Sequence, residues 1–454
     1  MTDTLLDQAV KSWSRGAPAR TTELGADKAA FGHFWKRGEE LLARLPAKPA
    51  RSAAEAADAA EILAVGRASR TLFMRAHALE VYEHLTSNRA KYVRVDELCE
   101  RAAREYPGLV PDAKTLARDA GIRQGDKDGL EVDHGIFVSQ VLAEPEAGAH
   151  LCHAMLLPKE ESAARLEEFR RKGALEFEGA RIERAGKAAV VTQRNLRYLN
   201  AEDEGTLPGL ETAIDLALLD PQTEVCVLRG DVVTHTKHAG KRVFGAGINL
   251  THLYQGKIRL MWYLVRDLGL VNKLYRGLAV PGVSPEEESI EKLWIAAVES
   301  FAIGGHCQIL LAIDQVVAAK DAYMTLPARK EGIIPGAANL RLARHVGVRI
   351  ARQAILAERR IDCASPEGRQ ICDLIVEPGV AAMDAEIDRL VAHVTNSGMV
   401  SAAGNRRALR IAEEPLDAFR RYMSVYAREQ AHCHFSPALI ANLERHWDAA
   451  NRKG

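Results

Sequence analysis

The sequence predicts an α/β protein with helical regions at both ends, and three observations predict it. Apolar side chains recur at helical spacing through roughly the first 175 residues, short β-branched runs alternate with helical stretches from Arg181, and a helical pattern returns after Pro378. At 454 residues the chain exceeds one ordinary domain and can bury a sizeable core. We divide it into a helical domain at 1–175, an α/β domain at 176–380 and a C-terminal helical region at 381–454.

In the first region, Thr22 to about Arg44 and Ala53 to Asn88 are rich in alanine, leucine, glutamate and arginine, which favour helix, and Pro46 and Pro49 separate the two. VRVDELCERAAREYP reads as a further helix with Asp96 as its N-cap, and the pattern stays helical with polar turns to about Leu130. Glu131 to Val141 begins another helix, and SAARLEEFRRKGAL an amphipathic one. From Arg181, RIERAGKAAVVTQRN and EVCVLRGD have the β-branched runs of buried strands, with GLETAIDLALLD as a helix between them. HLYQGKIRLMWYLVRDLGLVNKLYR is helical, and LWIAAVESFAIGG and QVVAAKDAYMTLP supply more strands.

Lysine plus arginine and aspartate plus glutamate each number 61, so the formal charge is zero and neither nucleic acid nor an anionic membrane is an expected partner. The seven cysteines are an odd number without a CxxC pair, which fits a reduced compartment. MTDTLLDQAVKSW lacks a basic stretch followed by an apolar core, and no run approaches the roughly 18 uncharged residues of a membrane span. A soluble, cytoplasmic protein is the expectation. His150 with His153, and His432 with His434, read as satisfied or solvated histidines, because metal ligation needs three or four converging groups. No metal or organic cofactor is expected.

Two glycine-containing turns carry the chemistry. In ESFAIGGHCQILLAID, Gly304 and Gly305 let the backbone turn with N–H groups uncovered before a helix; in FGAGINL, Phe244 to Leu250, small residues again precede an apolar one. A close helix–strand crossing would use such glycines equally well. With LNAED at Leu199 to Asp203 and EGIIPGAANLRLAR from Glu331 to Arg344, these motifs resemble the crotonase (enoyl-CoA hydratase/isomerase) superfamily over about residues 180 to 378.

The resemblance implies a ββα spiral core at 176–380 that binds acyl-CoA, and C-terminal helices that pack on neighbouring subunits in a homotrimer or dimer of trimers. It makes the backbone N–H groups of Ile248 and Gly305 the holders of a thioester oxygen as it becomes an enolate. Hydratases of the family carry glutamates where this chain has Gln308 and Ala328; glutamine exchanges no proton and alanine has no polar group, so hydration is disfavoured. The whole pattern, including the helical N-terminal region, is similar to the metal-free and cofactor-free dioxygenases of the superfamily. The implied reaction takes 3,5-dihydroxyphenylacetyl-CoA, or a related arylacetyl-CoA, and O2 to the arylglyoxylate and free coenzyme A.

By the same resemblance, Glu202 in NAED handles the proton or orients substrate, although NAED also reads as a helix cap with Asn200 as N-cap and Asp203 in the first turn. Arg266 in YLVRDLG matches an arginine facing the pocket, in a segment one residue shorter than the family pattern; a surface arginine is the alternative. Gln308 donates or accepts a hydrogen bond without titrating. Phe244, Gly247, Gly304 and His306 are candidates for substrate contact, and Lys241 and Arg242, with Lys237, His235 and His238, for the coenzyme A phosphates or for a solvated loop. His306 reads either as a further base or as a structural residue at a helix start. Another crotonase activity, such as an acyl-CoA hydrolase or isomerase, and a non-catalytic acyl-CoA binder are the competing functions.

Overall fold

The computed structural model describes residues 2–452. It contains two compact units: of the described residues, 2–154, 254–261 and 420–441 form one, and 155–253, 262–419 and 442–452 form the other. This differs from the three-part division at 175 and 380. Helix Glu160–Lys172 belongs with the sheet, and the C-terminal helices divide between the units.

The first unit is helical. Its 33-residue helix Ala53–Leu85 starts on a capping box, Ser52 accepting from the Glu55 N–H while Glu55 accepts from the Ser52 N–H. Phe31, Trp35, Phe73 and Tyr106 pack edge-on and tilted in its core, with Trp35 and Phe73 perpendicular at 5.3 Å between ring centroids. Helix Thr2–Arg15, within the expected helical region though not delimited from the sequence, adds Trp13, which stacks on Phe34 at 4.5 Å. Helix Val95–Glu105 is capped at Arg94, so Asp96 lies in the first turn rather than at the N-cap, where its charge still favours the helix N-terminus.

The second unit is built on a seven-stranded sheet in the order Ala174–Phe177, Ala180–Ala185, Ala188–Gln193, Val225–Gly230, Leu293–Val298, Gln315–Ala319, Leu374–Val376. The first three strands pair antiparallel, and all later pairs are parallel. Parallel pairing buries both faces, which is why these strands read as continuous apolar runs. Ala188, Val225, Val227, Ile295, Ala297 and Val317 pack on one face against Met383, Ile387 and Leu390 of helix Val380–Val394. A smaller sheet sets Tyr323–Thr325 parallel to Phe301–Ile303, and helix Gly305–Leu310 leaves the end of the latter strand.

Farther along, helix Val400–Glu413 is tied to its own chain. Arg406 and Arg410 both clasp the buried Glu291 carboxylate, and Glu414 accepts from Arg341 and Arg344. Those guanidiniums outweigh the burial cost and hold the Glu414 carboxyl down at about 2. Among the described residues no helix is long and apolar enough to cross a membrane.

Candidate active site

Three short pieces of chain meet at the site. Glu202 forms an isolated parallel bridge with Ile248, its N–H donating to the Gly247 carbonyl and its carbonyl accepting from Asn249, both at 2.8 Å. Parallel bridging uses the residues on either side of Ile248 and turns the N–H of Ile248 itself away. A second bridge joins Gly245 to Ala302, which brings the FGAGINL turn against the strand preceding Gly304. Contact there is close: a Cβ on Gly247 would lie 3.0 Å from the Ile303 carbonyl oxygen and 3.3 Å from the Gly305 nitrogen. Gly247 at φ +77 and Gly304 at φ +57 also hold backbone conformations that side-chain-bearing residues rarely adopt. Gly305 begins the six-residue helix rather than preceding it, and its N–H comes before any intrahelical acceptor. Among the described residues neither the Ile248 nor the Gly305 N–H meets a backbone acceptor.

Below the Gly305 turn lies a buried polar network. Arg266 donates from Nε and Nη2 to the two Glu202 carboxylate oxygens, each at 2.8 Å, and from Nη2 to the Gly305 carbonyl at 2.9 Å. Its Nη1 reaches Asp267 Oδ1 at 2.9 Å and Gln308 Oε1 at 2.5 Å, while Gln308 Nε2 donates to the same Asp267 oxygen at 2.8 Å. Glu202, Arg266, Asp267 and Gln308 are all at most 3% exposed. One guanidinium thus faces two carboxylates and a neutral amide, the forked geometry in which arginine outperforms lysine. A glutamate at 308 would put a third carboxylate here. Arg266 is therefore not a surface residue. A π-helical turn, Arg266–Val271, presents it and Asp267 together to this network.

Asn200 does not cap a helix. Its amide accepts from the Asn195 N–H and donates to the Asp231 and Val243 carbonyls, tying three loops beside the site. Asp203 supplies the capping contact instead, accepting from the N–H of Thr206, where the following helix begins.

His306 is fully buried and makes no approach to a ligand site. Its Nδ1 accepts from the Gly247 N–H at 2.9 Å, and its Nε2 lies 3.0 Å from the Gln193 amide oxygen. That pairing assigns the ring proton to Nε2. Burial lowers the imidazole to about 4, the nearby Glu202 carboxylate pulling it upward and Arg266 pushing it down. Phe244, also fully buried, meets the ring edge-on at 5.9 Å. Both residues are corrected from substrate contacts to supports of the Gly247 turn: the backbone crosses so close at Gly245 that a Cβ there would sit 2.2 Å from the imidazole.

An open cleft of about 840 Å³ runs from Ile248 and Ile303 past Thr325, Pro327 and Glu331 to Arg197, Lys237, Trp447 and Arg452. Of the basic loop, Lys237, His235 and His238 line it, whereas Lys241 and Arg242 do not. Arg242 turns inward to the Gly230 carbonyl and lies 3.9 Å from Asp231, which explains its absence from the cleft. Asp267, Gln193 and Glu331 were not singled out from sequence; Glu331 alone carried a signal, as the one acidic residue of the motif EGIIPGAANLRLAR. Among the described residues no three His, Cys, Asp or Glu side chains converge as metal ligands.

Paired unengaged N–H groups on two crossing glycine turns, beside a parallel-sheet spiral, define a crotonase. Residues 185–403 match the enoyl-CoA hydratase/isomerase family, and the chain belongs to that family. It is 45% identical over 416 residues, 91% of this chain and 94% of the other, to the (3,5-dihydroxyphenyl)acetyl-CoA 1,2-dioxygenase of Amycolatopsis orientalis. The short-chain-enoyl-CoA hydratase of Clostridium acetobutylicum is 30% identical over 45% of this chain and 71% of its own. In fold, the chain is similar to an enoyl-CoA hydratase/isomerase from Xanthobacter autotrophicus Py2, with a TM-score of 0.50 and 20% identity over 62% of this chain and all of that one.

Proposed function

We propose that this chain is an oxidoreductase that converts 3,5-dihydroxyphenylacetyl-CoA, or a related arylacetyl-CoA, and O2 into the arylglyoxylate and free coenzyme A, without metal or organic cofactor. Near-full-length identity to a dioxygenase supports the reaction class. One structural observation carries the reading: the two hydratase carboxylate positions hold Gln308, locked between Arg266 and Asp267, and Ala328, while two N–H groups stay unengaged.

The chemistry follows from that arrangement. Loss of a proton from the carbon between ring and thioester moves charge onto the thioester oxygen, which the Ile248 and Gly305 N–H groups stabilise. The electron-rich enolate passes one electron directly to O2, and the superoxide and substrate radical so formed combine at the α-carbon as a peroxide. Its distal oxygen attacks the thioester carbonyl and expels the thiolate; breaking the O–O bond and the remaining α C–H bond leaves a ketone beside a carboxylate. Both atoms of O2 enter the product, and the substrate supplies all the electrons. Arg266 holds the Gly305 carbonyl, in the peptide after the one that carries the Gly305 N–H, and Glu202 holds Arg266. Lys237 and Arg197 at the cleft suit the coenzyme A phosphates. A cytoplasmic homotrimer or dimer of trimers belongs to the same proposal, by family likeness.

Oxygen uptake by chelator-treated protein given 3,5-dihydroxyphenylacetyl-CoA, with stoichiometric release of coenzyme A, tests the proposal. Thiol release without oxygen consumption would make the protein a hydrolase, and activity that returns only with added iron or copper would refute cofactor independence.

A further inference from the structure

The proposed reaction breaks two α C–H bonds, so a proton acceptor must face the acyl group. Glu202 is poorly placed to be that acceptor, since both its oxygens already take Arg266 donors. Another carboxyl lies in the cleft. Glu331 is 4% exposed and lines the same cavity as Ile248, Ile303, Thr325 and Pro327. Among the described residues its side chain makes no hydrogen bond and no ion pair, an arrangement a buried carboxyl keeps only at a cost.

Its position in the chain is informative. Ala328–Glu331 is a single helical turn that follows Pro327 and ends at Gly332, φ +80. Residues three apart in a helix share a face, so Glu331 lies on the same side as Ala328, one turn further on. Ala328 is where hydratases of the family carry a glutamate. The carboxyl missing from the first position is present at the second.

We propose that Glu331 is the base that removes the α-proton of the acyl-CoA, an assignment that rests on the arylacetyl-CoA reading above. The carbon–hydrogen electron pair moves into the thioester as the enolate forms, and the proton passes to a Glu331 oxygen. Of the two α-protons, one ends on the expelled thiolate and the other leaves to solvent as the carboxylate product forms, so Glu331 returns to its ionised form each cycle. Burial raises this carboxyl to about 8, with the Glu358 carboxylate adding to the rise. A carboxylate of that basicity suits a weakly acidic C–H far better than an ordinary one near 4. The other ionisable groups lining the cleft are Tyr198, Lys237, His235, His238, Arg197 and Arg452.

Exchange of the substrate α-protons in deuterated buffer, without oxygen, tests this directly. Glu331→Gln, which keeps shape and removes basicity, is expected to slow exchange and oxygen uptake together by about 100-fold or more, with thioester affinity little changed. Glu331→Asp, which keeps the carboxyl on a shorter arm, is expected to restore part of the rate. In the wild type, exchange is expected to rise with pH and level off above about 8, a limb the glutamine variant lacks. Wild-type exchange in Glu331→Gln overturns the assignment and leaves the function intact. If that variant fails to bind thioester, wild-type exchange that does not vary between about pH 6 and 9 overturns the assignment equally. Absence of exchange and oxygen uptake in the wild type removes the dioxygenase reading, and the assignment with it.

Discussion

The N–H of Gly247 points at Nδ1 of His306, 2.9 Å away, so a neutral imidazole fixes the Ala246–Gly247 peptide, the one before the peptide that carries the Ile248 N–H. His306 thereby acts on the thioester oxygen at one remove, through the backbone. His306→Ala leaves the Gly247 N–H and the Gln193 amide oxygen without partners and opens a hole under the turn. We expect a loss of roughly 2–4 kcal/mol in urea unfolding and a fall in kcat with KM nearly constant, because the Ile248 N–H matters most when charge develops.

Acid should weaken the fold through buried histidines. His306 is held near 4, as is His134, and His434 near 3, each chiefly by burial, against an ordinary value of 6.5. Below 6.5 the unfolded chain takes up protons that the folded one refuses, so stability is full above that pH and falls as pH drops toward 4. For His306 the limit is about 3 kcal/mol. Urea midpoints measured from pH 7 to 4 check the slope; a flat profile would mean that these rings are protonated in the native state.

Glu331 acts from the alkaline side. Its carboxyl sits near 8 in the fold against 4.5 ordinarily, so the unfolded chain ionises first and stability declines as pH climbs between those values. Glu331→Gln is expected to abolish that decline and to make the protein more stable than wild type at pH 8. The measurement is of unfolding alone and needs no substrate.

Gln308→Glu places a carboxylate where an amide now donates to Asp267 at 2.8 Å. Losing that donor and adding a like charge in a site almost closed to water should cost roughly 1–3 kcal/mol of stability and most of the oxygenase turnover. Equal thermal midpoints and equal turnover in the two proteins would show that the network relaxes around the charge.

Gly336→Ala provides a test by shape. At φ +44 the residue is already in a glycine-favouring conformation, and a Cβ would fall 2.1 Å from Gln308 Nε2 and 2.7 Å from Asp267 Oδ2. We expect loss of activity comparable to Gln308→Glu, although no polar atom changes. Retention of full oxygen uptake would argue against a role for the Gln308 position.

Much of the fold was legible because buried parallel strands announce themselves as β-branched runs and the glycine turns fall at their ends. The pairing of Ile248 with Gly305 came from the resemblance of their two motifs to the family, not from spacing. Division into units was less so: segments 254–261 and 420–441 rejoin the helical unit from far along the chain, and local spacing carries no sign of such returns. The roles of His306 and Phe244 were hidden for a related reason. Proximity in sequence to a substrate motif does not tell whether a side chain lies in front of the backbone or behind it, and here Gly245 admits the imidazole from behind.

The π turn at Arg266–Val271 gives this site an unusual dependence on residue count. Consecutive residues of a regular helix diverge by about 100°, yet Arg266 and Asp267 meet the same glutamine. A wide turn accommodates one residue more than its regular counterpart, so excising a single residue from it would let the backbone relax into an ordinary helix. Such a deletion should be well tolerated by the helix and ruinous to the site: every side chain on one flank would rotate by a residue's worth of twist, and the guanidinium would leave Glu202. The arginine's aim is thus stored as a phase offset along the helix, which substitution at neighbouring positions leaves intact and a three-nucleotide deletion erases.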